Sequence, residues 1–240
     1  MIQELTGIVR YSECDENGRL SLPSLINLFQ DVATLHGDSL GIGVHYLKDH
    51  HLAWLVAFWQ IRMKRMPEVD EPYRLQTWGW KFFGIFGMRN CTLLDGEGNM
   101  LASANSVWFL YDTEKEVPVR VPEEIQEKYG VHPRLEMDYA PRKVKDPEDG
   151  ETFEPFKVGR QNLDTNHHVN NAQYVAMAQA FLPEGEHFSE LRIEYKKQAH
   201  LYDVITPLVQ KREDGFGVSL RGEDGEPYIS AVFMKESHGL

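Results

Sequence analysis

The chain has 240 residues, of which 42% are hydrophobic and 26% charged, and its formal net charge is −12 at pH 7. This length can bury one large core or two smaller ones, as expected of an ordinary globular protein. The negative charge argues against a nucleic-acid partner, because phosphate binding depends on clustered Lys and Arg.

The N-terminal segment MIQELTGIVRYSECD has neither the basic start and apolar stretch of a secretion signal nor the composition of a transit peptide. The longest apolar run, LAWLVAFW at residues 52–59, is far below the roughly 20 residues of a membrane-spanning helix and predicts a buried strand. Cys14 and Cys91 form no disulfide framework and no zinc-binding spacing. We therefore expect a cytoplasmic protein without a membrane partner.

The second half of the sequence repeats the first. CDENGRLSLPSLINLFQDVA at 14–33 aligns with LDTNHHVNNAQYVAMAQA at 163–180, and QIRMKR at 60–65 resembles RIEYKK at 192–197. In each half an entry segment leads into a helix and then into alternating strands joined by tight turns. The order predicts an α+β duplication in which one helix packs on several antiparallel strands, twice.

Capping residues and apolar spacing locate both helices. Ser21 can cap the first helix, and Pro23 lies in its first turn. Its apolar stripe at helical spacing is Leu22, Leu25, Ile26, Phe29 and Val32. Asn170 or Asn171 can cap the second, whose apolar stripe stops at Pro183.

The segment between the two halves is dense in Pro and charge and follows neither the helical nor the strand period. It predicts a linker over residues 139–156, between domains at 1–138 and 157–240. Its basic residues at 142–145 are interpreted as a solvated face, with docking as the alternative.

The entrance of the second helix carries more polar side chains than a cap needs. Asp164, Asn166 and His168 are spaced by two, so an extended segment would project them to one side, beside the positive end of a helix. There His168 could activate water, Asn166 could orient the substrate, and Asp164 could hold either one by hydrogen bonding. The first half has Arg19 at the equivalent of His168, so a shared capping task does not require the imidazole.

Two other interpretations of this segment stay open. Asp and Asn are common capping and turn residues, so the cluster can be structural. His167 and His168 with Asp164 could bind a metal, but adjacent strand residues point apart, and we expect neither a metal nor a cofactor.

This region resembles the signature of the acyl-acyl carrier protein (acyl-ACP) thioesterases. LDTNHHVNNAQYV at 163–175 and LRIEYKKQAHLYDVI at 191–205 are similar to the family's LDVNQHVNNxKY and LEYRREC segments, and GRLSLPSLINLFQDVA at 18–33 resembles its N-terminal domain. The resemblance covers nearly the whole chain. It implies a tandem double hot-dog fold, each half a long helix wrapped by an antiparallel β-sheet, with the active site on the C-terminal half.

The resemblance also implies a reaction, hydrolysis of the thioester between a fatty acyl chain and acyl carrier protein, which releases free fatty acid and ends chain elongation. It gives the catalytic roles to Asp164, Asn166 and His168 and implies no cofactor. An acyl-CoA thioesterase of the same fold and a catalytically silent acyl-binding module are the alternatives.

The chain departs from the signature after the basic pair, where Gln198 and Ala199 replace the family's Glu-Cys. A Cys nucleophile is excluded there, whereas attack by water is not. Gln198 can hold a water or an imidazole but cannot accept a proton at neutral pH, so we expect a supporting role for it, as for Asn170 and Asn171. Trp54 is expected to line an apolar acyl tunnel, with core packing as the alternative.

Acyl carrier protein is acidic, and so is this chain, so docking should depend on local cations. The candidate residues are Lys64, Arg65, Lys196 and Lys197. Sheets with exposed edges also allow a homodimer.

Overall fold

The computed structural model describes residues 1–235. The chain divides into two compact units. The first contains residues 1–57 and 63–139, and the second contains residues 58–62 and the described residues from 140 onward.

The first unit has two helices between its first strand and a run of long strands, and a third helix after the last strand. Its helices are α1 (Leu22–Ser39), α2 (Val44–Asp49) and α3 (Glu123–Tyr129). Its strands are β1 (Gln3–Ile8), β2 (Leu52–Met63), β3 (Pro72–Phe83), β4 (Phe86–Asp95), β5 (Met100–Asp112) and β6 (Val117–Pro118), except that residues 58–62 of β2 belong to the second unit. A 3-10 turn at Tyr11–Glu13 precedes α1. The antiparallel order runs β1-β3-β4-β5, and α1 packs on β3 and β1.

Helix α1 begins where the sequence predicts. Ser21 is the cap, and its hydroxyl oxygen accepts a hydrogen bond from the N–H of Ser24 at 3.3 Å, while Pro23 lies in the first turn. The predicted apolar stripe is buried, and its members are Leu22, Leu25, Ile26, Phe29 and Val32.

The second unit has the same order of elements. Two short strands, β7 (Glu151–Thr152) and β8 (Phe156–Lys157), and a 3-10 turn at Arg160–Asn162 lead to helix α4 (Asn171–Gln179). The strands that follow are β9 (Glu190–Tyr195), β10 (Val204–Arg212), β11 (Gly215–Arg221) and β12 (Pro227–Met234). They pair in the antiparallel order β9-β12-β11-β10, and residues 58–62 of β2 pair with β9.

Helix α4 is only nine residues long and ends at Gln179, before the predicted stop at Pro183. Phe181 leaves the helix because its ring packs on two aromatic rings ahead of α4, with centroids 5.1 Å from Phe153 and 6.0 Å from Phe156. The α+β duplication is therefore present, with a second helix half as long as the first.

The segment predicted as a linker is docked along the second unit. Buried Glu194 accepts hydrogen bonds from Nη1 of Arg142 at 3.3 Å and from the N–H of Val144 at 3.1 Å. Arg221 donates to the Asp146 carboxylate at 2.6 Å, and both β7 and β8 pair with β10. The segment thus contributes structure to the second unit, and the boundaries at 138 and 157 stay a proposal.

Candidate active site

Asp164 closes a tight loop at the entrance to α4. Its Oδ1 accepts the N–H of Asn166 at 2.8 Å and the N–H of His168 at 3.2 Å, and its own N–H donates to the carbonyl of His168 at 2.8 Å. His167 sits in the left-handed region with φ 62°. The prediction of an extended segment was wrong, because an Asp side chain that bonds the backbone two residues on turns the chain.

The first unit contains the same loop. Asp15 accepts the N–H groups of Asn17 at 2.9 Å and Arg19 at 3.0 Å, and Gly18 has φ 72°. The Asp164 carboxylate therefore performs a structural task that is common to both units. Its Oδ1 holds the backbones of Asn166 and His168, and its Oδ2 accepts a longer bond from the Asn166 side chain at 3.4 Å.

The cap of α4 is Asn170. Its Oδ1 accepts the N–H of Ala172 at 2.8 Å, so this backbone N–H at the start of the helix is already occupied. Its own N–H donates to the carbonyl of Asn162 at 2.9 Å, and the Asn162 amide donates to Oε1 of Gln173 at 3.1 Å. These bonds join the 3-10 turn, the loop and the helix.

Asn171 is the first residue of α4, and its carbonyl accepts the hydroxyl of Tyr195 at 3.0 Å. The bond ties the start of the helix to β9. Asn171 therefore supports the position of α4 from within its first turn.

His168 is the candidate base on this loop. The side chain is half-buried, and its ring packs against that of His200 with centroids 4.9 Å apart and planes at 78°. Burial lowers the pKa of His168, and the charge of a protonated His200 lowers it further, while the Asp164 carboxylate acts in the opposite direction. The imidazole is therefore neutral at pH 7 and able to accept a proton.

Ala199, which replaces the family's Cys, is buried and fixed through its backbone. Its carbonyl accepts the N–H of Val169 at 3.0 Å, and its N–H donates to the hydroxyl of Tyr174 on α4 at 2.8 Å. Gln198 and His200 flank this anchor and are both exposed. The anchor brings the segment after β9 next to His168.

His200 is a member of the site that sequence reasoning missed. Its N–H donates to Oδ2 of Asp203 at 2.9 Å, and the same oxygen accepts the hydroxyl of Tyr228 at 2.9 Å. Burial, followed by the bond to Asp203, raises the pKa of Tyr228 to about 12, so this hydroxyl stays protonated and donates. The only sequence signal was the spacing of His200 and Asp203 by three, a distance that favours local side-chain contacts in a turn.

The two cysteines have environments that suppress thiolate formation. Cys91 is fully buried on β4, and burial raises its pKa to about 11. Burial also raises the pKa of Cys14. The thiolate is the nucleophilic form, so neither residue replaces the family's Cys.

The four candidate docking cations differ in their contacts. Arg65 makes a two-bond pair with Glu71 at 2.6 and 2.7 Å, and Lys197 pairs with Asp224. Lys64 and Lys196 are exposed. The charges of Arg65 and Lys197 are thus largely compensated within their own units.

Trp54 lies on β2 and is half-buried. Together with Leu52 and Phe82 it packs on an apolar cluster that contains Ile42 and Leu110. Core packing accounts for part of its surface, and the remainder is accessible.

Within residues 1–235, no group of three or more His, Cys, Asp or Glu side chains is arranged to hold a metal ion. No helix in the same range is both long and apolar enough to cross a membrane.

Both halves of the sequence match family models. The model of the acyl-ACP thioesterase N-terminal domain matches residues 6–129, and that of the acyl-ACP thioesterase C-terminal domain matches residues 145–231. The chain belongs to the acyl-ACP thioesterase family. The predicted family is confirmed, and with it the enzyme class, a thioester hydrolase.

Named relatives agree with this assignment. The chloroplastic oleoyl-acyl carrier protein thioesterase 2 of Arabidopsis thaliana is 25% identical over 97% of this chain and 70% of its own length. A chloroplastic acyl-[acyl-carrier-protein] hydrolase of Cuphea viscosissima is 26% identical over 90% of this chain. The chain spans 58% of that Cuphea relative's length.

Solved structures show the fold. An acyl-ACP thioesterase from Bacteroides thetaiotaomicron superposes with a TM-score of 0.89 at 20% identity, covering 98% of both chains. The 12:0-ACP thioesterase from Umbellularia californica superposes with a TM-score of 0.83 at 19% identity, covering 97% of this chain and 96% of its own. The predicted hot-dog fold is confirmed.

Proposed function

We propose that this chain hydrolyses fatty acyl-ACP thioesters with His168 as the general base. The observation that carries the proposal is a half-buried imidazole, kept neutral by its surroundings, on a loop that Asp164 holds through two backbone N–H groups. A general base of this kind works best when its pKa lies near or just below the working pH. Family membership supports the acyl-ACP substrate.

In the proposed reaction, a ring nitrogen of His168 takes a proton from water while the water oxygen attacks the thioester carbonyl carbon. The carbonyl π electrons move to oxygen and form a tetrahedral oxyanion. When the carbonyl re-forms, the C–S bond breaks, and protonated His168 gives its proton to the departing sulfur. The products are the fatty acid and the thiol of the carrier.

Asn166 is the proposed donor to the oxyanion. Its side chain is exposed, and its Nδ2 faces Oδ2 of Asp164 at 3.4 Å. An amide nitrogen has two hydrogens, so one remains for the substrate oxygen after the bond to Asp164. Asp164 acts by fixing the loop, and Gln198 is proposed to hold the attacking water.

Acyl carrier protein is the proposed carrier, with the exposed ammonium groups of Lys64 and Lys196 as its first docking contacts. The compensated charges of Arg65 and Lys197 add less to such docking. A homodimer is the proposed assembly. Trp54 is proposed to contact the acyl chain through its accessible surface. Substitution of Trp54 by Ala should therefore change the preferred acyl chain length, as measured by hydrolysis of thioesters of increasing length.

The test is hydrolysis of one acyl chain on two carriers. Wild type should turn over the acyl carrier protein thioester with a higher kcat/KM than the coenzyme A thioester. His168→Ala should lose at least a hundredfold in kcat, within the range of general-base catalysis, whereas His167→Gly should retain it. A preference for coenzyme A would overturn the carrier assignment, and a fully active His168→Ala would overturn the mechanism.

A further inference from the structure

The segments that carry His168 and His200 are joined by their backbones. Val169 follows His168, Ala199 precedes His200, and the Val169 N–H donates to the Ala199 carbonyl at 3.0 Å. Tyr174 on α4 binds the N–H of Ala199 at 2.8 Å. The ring contact at 4.9 Å is therefore supported by a hydrogen bond between the immediate neighbours of the two histidines.

His200 is also held from its C-terminal side. Asp203 accepts its N–H at 2.9 Å and lies 3.9 Å from Nδ1 of its ring. The Asp203 carboxylate is in turn fixed by the hydroxyl of Tyr228 on β12. An exposed side chain with this much backbone support has fewer positions available to it than an ordinary surface residue.

The first unit has the same backbone scaffold with different side chains. Leu20 N–H donates to the Pro67 carbonyl at 2.8 Å, and Glu68 N–H donates to Oε2 of Glu71 at 3.0 Å. At the positions of His168 and His200 it carries Arg19 and Glu68, an exposed ion pair at 3.8 Å. The scaffold therefore does not require imidazoles, and the paired rings are specific to the unit with the proposed catalytic loop.

We propose that His200 is a positioning residue for His168, with its ring packed edge to face so that His168 is held in the orientation that meets water and thioester. The inference rests on the proposed function, in which His168 is the base. The role is separate from those of the family signature, because His200 lies two positions after Gln198, which stands where the signature has Glu.

The contact has an electrostatic consequence. The charged or titratable groups that act on His168 are Asp164, which favours its protonated form, and His200 and His167, which oppose it. Removing His200 takes away both a covering ring and a group whose protonated form opposes the protonation of His168. The pKa of His168 should then rise, and the acid limb of kcat should move to higher pH.

The experiment uses the full chain with His200→Asn and His200→Phe, and Glu68→Gln as the matched control in the first unit. We expect His200→Asn to lower kcat about three- to tenfold with little change in KM, in line with the value of an aromatic contact. His200→Phe should restore most of kcat, because a ring is again present, without restoring the pH profile. Glu68→Gln should behave as wild type.

An NMR titration of the His168 ring separates this inference from the proposed function. A higher His168 pKa in His200→Asn, together with the loss of kcat, supports the positioning role. Wild-type kcat with an unchanged His168 titration in His200→Asn overturns it, even if His168→Ala is inactive. Full activity in His168→Ala overturns the proposed function and leaves no reaction for His200 to serve.

Discussion

His167 has the backbone conformation of Gly18, with φ 62° in one loop and 72° in the other. Both residues occupy the third position after the aspartate that closes the loop, at Asp164 and Asp15. A side chain in this region is strained relative to glycine. His167 is therefore placed by the turn rather than by the proposed chemistry.

Substitution of His167 by Gly should raise the midpoint of thermal unfolding, because glycine adopts this conformation without a Cβ clash. The gain should be about 1 kcal/mol in the free energy of unfolding at most, since glycine also gains entropy in the unfolded chain. Hydrolysis should stay within twofold of wild type. His167→Val should lower the midpoint, and a stabilised Val variant would contradict the strain argument.

Asp164→Asn should retain much of the activity, whereas Asp164→Ala should lose nearly all of it. An Asn side chain keeps an oxygen that accepts the N–H groups of Asn166 and His168, and Ala does not. Loss of these bonds should cost about 1–3 kcal/mol. Urea unfolding and steady-state hydrolysis measure the two effects.

Asp15→Ala is the matched control, because Asp15 makes the same bonds in the first unit. It should cost a similar free energy of unfolding and leave the chemistry intact. Loss of kcat in a folded Asp15→Ala chain would contradict the prediction. It would mean that activity depends on the stability of either loop and not only on the loop that Asp164 closes.

Gln198→Glu should move the acid limb of kcat to higher pH. Gln198 is exposed beside the Ala199 anchor, two residues before the ring that contacts His168. A carboxylate there favours protonated His168 and raises its pKa, so the neutral base is lost at a higher pH. A pH profile of single-turnover hydrolysis measures the shift. Gln198→Ala adds no charge and should leave the limb in place, and the prediction fails if the two variants coincide.

His36 should make the stability of the protein depend on pH. It is fully buried on α1, and its Nδ1 accepts a hydrogen bond from Arg89 at 3.0 Å. Burial, together with the Arg89 charge, lowers its pKa from 6.5 to about 3. Below pH 6.5 the unfolded chain binds a proton that the folded chain does not, so this contribution to stability decreases as the pH falls toward 3.

One such proton should change the free energy of unfolding by about 1.4 kcal/mol per pH unit. Replacement of His36 by Gln should remove that slope between pH 6 and about 4.5, as measured by urea unfolding at several pH values. His45→Gln, at an exposed position, should leave it unchanged. Equal slopes in wild type and His36→Gln would contradict the assignment.

The sequence was sufficient for features that depend on local pattern. The duplication, the Ser21 cap, the choice of Asn170 or Asn171 as a cap and the buried stripe of α1 follow from periodicity and capping chemistry. The repeat alignment even placed Gly18 opposite His167. Glycine at that position indicated a turn with positive φ, which the extended interpretation of the segment overlooked.

Features that depend on distant contacts were not predictable in the same way. His200 joins the site only because Val169 binds Ala199, two residues that lie 30 positions apart in the chain. Likewise, α4 ends early because Phe181 meets rings that precede the helix, and no local rule favours Gln179 over a later residue. Tertiary packing decided both outcomes.

The shared loop bonds also bear on how such a chain can evolve and be redesigned. Asp15 and the Leu20–Pro67 bond already hold a backbone like that of the proposed catalytic loop in the first unit. Arg19 and Glu68 are exposed there, so replacing both by histidine would change the side chains while the backbone keeps its conformation. In a duplicated fold the backbone of a loop can be kept while its side chains change. Here both units keep the loop backbone, and only the second carries the histidine pair.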